Sequence, residues 1–181
     1  MLNSPFKNFS KTKENQFTII FILLTILVII PMLILDSYLT NDVCKNGIVS
    51  FQLAKDINFS KEIINSWSEV AKICAGISLG LDFLFLLIYP TLIAILIHKT
   101  SRLTRNKNIQ NFGTSLIFGL ILAALFDVIE NIALIKLSLG NLKQLWSSLA
   151  YYFAVPKFII ILLAIVFILF NFVYLLFQKR V

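Results

Sequence analysis

Histidine occurs once in this chain, at His98, and cysteine twice, at Cys44 and Cys74. So small a stock of soft ligands gives no metal-ligand spacing, which argues against a zinc or copper centre. A disulfide between Cys44 and Cys74 stays an open alternative. Charge is scarce as well. Asp, Glu, Lys and Arg make up 14% of the residues, against about 25% in an ordinary soluble domain. The net charge of +7 is scattered over short segments between apolar runs. It is too thin for a groove that tracks phosphates, so nucleic acid is not an expected partner. It reads instead as topology and contact with a lipid surface.

What is abundant is apolar surface: 59% of the 181 residues are hydrophobic and the mean hydropathy is +0.89. Soluble domains stay near about 45–50%. The expected class is an all-α polytopic membrane protein of one domain, an up-down four-helix transmembrane bundle. A flexible polar tail, 1–16, precedes a transmembrane domain, 17–178. Residues 17–35 carry no charge and are long enough to span a bilayer core. The run reads as an uncleaved anchor: it is too long for a signal-peptide core, and no small-residue cleavage site follows.

The other spans are expected at about 73–97, 112–137 and 149–177, with Pro31, Pro90 and Pro156 as kinks. The outer loop, 36–72, is the one long polar segment. Ser60 is a candidate helix cap within it. Ile63, Ile64, Trp67, Val70, Ala71 and Cys74 then recur at helical spacing. This predicts an amphipathic interfacial helix running into the second span, with Trp67 at the membrane interface. Gly76 and Gly80 form a small-xxx-small pair that allows close helix approach, and Gly119 and Ala123 suggest the same on the third span. Lys and Arg concentrate in the amino tail, the 98–111 loop and the carboxyl tail, so both termini are expected in the cytoplasm.

The stretch Leu125–Leu134, LFDVIENIAL, breaks the apolar pattern by placing Asp127, Glu130 and Asn131 inside a span. A charge there costs roughly 2.5–3.5 kcal/mol on insertion scales. Depth supplies the partners. At 1.5 Å per residue, Asp82 lies roughly 10–15 Å from the outer end of its span, and Asp127 lies at a similar level. Lys157 sits roughly 10 Å into the last span. Three helices thus place ionisable groups in one layer. The candidate binding cluster is Asp82, Asp127, Glu130, Asn131 and Lys157, with Ser78, Tyr89 and Tyr152 at its periphery. Three carboxylates face one ammonium, so the site has room for a proton or a cation. A purely structural ion-pair cluster is the competing reading, and Lys157 could snorkel to the surface instead. No catalytic residue, resident metal or cofactor is assigned.

The succession GIVSFQLA, Trp67, GLDFLFLLIY, FDVIENIAL and a lysine early in the last span resembles an uncharacterised family of small four-span bacterial membrane proteins. The likeness covers about 48–160. It implies a bacterial cytoplasmic membrane and one set formed by Asp82, Asp127, Glu130, Asn131 and Lys157. The family pattern carries Glu where this chain has Gln52, which leaves that position without an implied role. A weaker likeness, of architecture alone, is to the sterol isomerase and sigma-2 receptor-like (EXPERA) group, and it transfers no residues.

The expected activity is binding or movement of a proton, cation or amine-headed small molecule within the lipid bilayer. The alternatives are a membrane enzyme applying paired carboxylates to a lipid-like substrate, and a non-catalytic partner subunit. Homo-oligomers or a partner membrane subunit are compatible with either. The 36–70 segment is where such a site would open, toward the outer face.

Overall fold

In the computed structural model, residues 4–104 and 106–178 are described, with side chains to Tyr174. The orientation signals Arg105, Lys179 and Arg180 lie outside the described residues. Among the described residues six helices follow in order: α1 Lys11–Leu39, α2 Ile48–Gln52, α3 Ile57–Ser66, α4 Glu69–Leu103, α5 Lys107–Ser138 and α6 Gln144–Gln178. Four of them, α1, α4, α5 and α6, are long and apolar enough to cross a membrane. The protein is a multi-pass helical bundle.

Local chemistry sets the helix limits. Ser10, Asp56, Ser68 and Asn106 each accept a backbone N–H of the first turn they precede, at α1, α3, α4 and α5. Such caps satisfy donors that the helix itself leaves free. α5 stops at Gly140, whose φ of 85° is a left-handed conformation that favours glycine. There Gly140 N bonds Leu137 O at 2.9 Å and Asn141 N bonds Lys136 O at 3.0 Å, closing the helix end.

The long helices alternate in direction. Glu14 at the start of α1 meets Arg102 near the end of α4. Tyr89 of α4 meets Asp127 of α5, and Asp127 meets Lys157 of α6. α4, α5 and α6 pack on one another, whereas α1 packs mainly against α4. α1 does so along a narrow seam. Glu14, Thr18, Phe21, Thr25, Val28, Met32, Leu35 and Leu39 are buried or partly buried. They alternate steps of four and three, the seam of a two-helix contact. Only 11% of its most apolar stretch is buried, so most of that stretch is left uncovered by the described residues.

The segment between α1 and α4 folds into a cap. Gly47 has φ 53°, and the Asp36 carboxylate occupies the space a Cβ would need. That carboxylate accepts the Ile48 N–H at 2.7 Å, anchoring α2 to α1. Beneath it, Phe51, Ile63, Trp67, Leu39 and Cys44 join Leu79, Leu134, Leu137 and Ala150 in one apolar core. Burial pushes the Cys44 thiol up from its ordinary value. Both cysteines are free and buried.

Several sequence expectations change here. Asp56 caps α3, not Ser60; Ser60 is buried and bonds Ser147 Oγ at 2.8 Å. The interfacial helix does not run into the second span, because Trp67 is extended and Ser68 begins α4 anew. Trp67 is a core residue, its Nε1 donating to Leu39 O at 3.0 Å. The polar tail is helical from Lys11. Gly76 and Gly80 are exposed, and among the described residues no other helix packs on that pair. Gly119 does meet α6, with Ile160 3.4 Å from where its Cβ would be.

Candidate functional site

Three helical registers build the polar layer. α5 places Asp127, Glu130 and Asn131 within one turn, on neighbouring positions of the side facing α4 and α6. Lys157 of α6 points between the first two. Its Nζ is 2.8 Å from Asp127 Oδ1 and 2.6 Å from Glu130 Oε2. Tyr89 of α4 donates its hydroxyl to Asp127 Oδ2 at 3.0 Å. Asn131 donates from Nδ2 to Asp82 Oδ2 at 2.6 Å. Lys157 is 3% exposed, so it does not snorkel to the surface.

The structure therefore brings Asp82, Asp127, Glu130, Asn131, Lys157 and Tyr89 into one layer. Ser78 is buried a turn above Asp82, on the same side of α4. Tyr152 is elsewhere: it is 59% exposed, and Lys55 Nζ lies 5.6 Å from its ring centre. It takes no part in the layer.

The members are unequally satisfied. Asp127 has an ammonium at one oxygen and a hydroxyl at the other. Glu130 and Asn131 are 0% exposed. Glu130 has only the ion pair: Oε2 lacks hydrogen-bond geometry, and Oε1 has no partner among the described residues. Asn131 Oδ1 is likewise without one. A buried acceptor left unmade costs about 1–3 kcal/mol, and more when charged. Asp82 is partly exposed. Counted fully ionised, Asp82, Asp127 and Glu130 against Lys157 leave two uncompensated negative charges. In a medium of low dielectric that imbalance calls for a proton or a cation.

Apolar layers close the site at both ends. Toward the cap lie Leu79, Ala133, Leu134, Leu137 and Ala150. Toward the other end lie Ala94, Ile97, Leu116, Leu120, Ala164 and Phe167. The expected opening beneath the 36–70 segment is thus filled by the packed core of that segment.

A second polar group escaped the sequence reading. Glu14 is 3% exposed, with Oε1 2.7 Å from Arg102 Nη1 and 3.3 Å from His98 Nε2. Lys99 Nζ reaches Asn15 Oδ1 at 2.9 Å and Thr18 Oγ1 at 3.3 Å. These contacts fasten α1 to α4 at the end opposite the cap. The available signal was the four-three spacing of Glu14, Thr18, Phe21 and Thr25.

No family model, curated protein or solved structure matches the chain. Among the described residues, no group of His, Cys, Asp and Glu has the arrangement of a metal site. Fold and site together define a multi-pass helical membrane protein with an acidic, lysine-containing layer between its helices.

Proposed function

We propose that this is a small protein of a bacterial cytoplasmic membrane, with both termini in the cytoplasm. Its acidic intramembrane site binds or moves a proton, cation or amine-headed small molecule. The observation that carries the reading is the charge imbalance in the layer: Lys157 pairs with Asp127 and Glu130, Asp82 has no ammonium beside it, and fully buried Glu130 keeps an oxygen without a partner among the described residues. Evolutionary neutrality of such a layer is hard to reconcile with its cost in hydrocarbon. Asp127 is the fixed partner of Lys157, Glu130 and Asp82 hold the exchangeable positive species, and Asn131 orients Asp82. The likeness to a family of small four-span bacterial proteins supports treating these residues as one set and adds no reaction.

The test is modification by a membrane-permeant carbodiimide, which attacks protonated carboxyls in apolar surroundings. With the protein in lipid nanodiscs, mass spectrometry is expected to place the adduct on Asp82 or Glu130, and an occupying cation to suppress it. If all three carboxyls stay unmodified and no cation alters the melting temperature, the layer is a fixed ion-pair cluster and the reading fails.

A further inference from the structure

We infer that the site is entered sideways from the bilayer, and that its occupant is an amphiphile bearing a primary or secondary ammonium. The inference rests on the reading of the acidic layer as a cation site and adds the route and the ligand class.

The route follows from which residue is open. Ala71, Ala75, Ser78, Asp82 and Tyr89 lie on one stripe of α4, at steps of three, four and seven. All are buried except Asp82, which is partly exposed. Leu79, three residues before Asp82, and Leu86, four after, are buried. The opening is therefore confined to the level of Asp82. The residues that flank it on α4, Phe83 and Phe85, are apolar and partly exposed. Toward the cap and toward the opposite end the layer is packed over by apolar clusters. A species arriving at Asp82 comes through hydrocarbon, so it must carry apolar surface of its own.

The ligand class follows from what the site lacks. The unpartnered buried atoms in this layer are acceptors, Glu130 Oε1 and Asn131 Oδ1. Asn131 is neutral and fully buried, and its free oxygen asks for a donor independently of the carboxylate charge. An ammonium with two or three N–H groups supplies donors to both and one positive charge to the excess. A quaternary ammonium supplies the charge without the donors. A lone proton on Glu130 leaves Asn131 Oδ1 unmet unless it is placed to bridge.

The experiment compares decylamine, decyltrimethylammonium and butylamine as ligands of the full chain in nanodiscs, read by melting temperature and calorimetry. Decylamine is expected to bind at least tenfold more tightly than the other two. Glu130→Gln should weaken it at least tenfold, and Asp82→Asn serves in the same role if Glu130→Gln does not fold. Equal binding of decyltrimethylammonium shows that the acceptors do not select the ligand, and equal binding of butylamine shows that the route is not through lipid. Either result overturns this inference while leaving a carboxylate-dependent cation site standing. Absence of carboxylate-dependent binding by all three overturns both.

Discussion

Asn131 Nδ2 donates to Asp82 Oδ2 at 2.6 Å, tying α5 to α4 at the one carboxylate of the polar layer that the bundle leaves partly exposed. Replacing Asn131 with Leu removes the donor and strands Asp82. We expect a loss of about 1–3 kcal/mol. Asp82→Leu in the same chain should return most of it, because both polar partners are then gone. A double-mutant cycle by thermal unfolding in detergent measures the coupling, and strict additivity would show that the bond contributes nothing.

The cap depends on Gly47 and Trp67. A side chain at Gly47 is strained by its φ of 53° and collides with Asp36. Trp67 packs against Phe51 with ring centres 5.2 Å apart. Gly47→Ala should release the cap, seen as faster amide exchange across α2 and α3. Trp67→Ala should cost about 3–5 kcal/mol. Unchanged exchange in Gly47→Ala would mean that Asp36 simply rotates away.

Glu14 carries the attachment of α1 at the end opposite the cap, so Glu14→Gln breaks the ion pair with Arg102 while keeping the shape. The expected result is greater mobility of the first turns of α1, read by spin labels at Lys13 and Lys107. Thr18 and Val28, farther along the seam, should hold the remaining length of the contact. Identical label mobility in both proteins would place the anchor elsewhere.

Cys44 tests the packing under the cap through pH. Its thiol is held above the ordinary value by burial, so less thiolate is present at a given pH than in an unfolded chain. Alkylation in the folded protein should be slow near pH 8 and speed up on unfolding. The raised value favours the folded state below the ordinary thiol range, and that contribution fades as pH rises through it. Rapid alkylation in the native state would contradict the buried position.

The four apolar runs and the polar layer could be read in the sequence because both follow from helical geometry. Rise per residue brings Asp82, Asp127 and Lys157 to one depth, and the turn of 3.6 residues keeps Asp127, Glu130 and Asn131 within reach of two neighbours. Tyr152 fails on the same geometry: five residues from Lys157, it points roughly 140° away around α6. Glu14 was hidden because an apolar run counted from Phe17 leaves it in a polar tail, although the seam continues through it. Trp67 is equally at home in an interface or a core, and only its bond to Leu39 decides. Gly76 and Gly80 carry a contact motif on which no helix packs among the described residues.

The central claim is that the excess carboxylates hold a removable positive charge rather than a fixed ion pair. The measurement that bears on it most directly is the melting temperature of the purified protein beside Glu130→Gln, Lys157→Met and their double variant, in one detergent. Lys157→Met should lower stability by about 3–5 kcal/mol by leaving buried carboxylates without their counter-ion. Glu130→Gln should match or exceed the wild type, since it removes a charge held at a cost. The contrary result is a collapse of the bundle in both single variants that the double variant repairs. That would make Glu130 and Lys157 a structural pair and contradict the account.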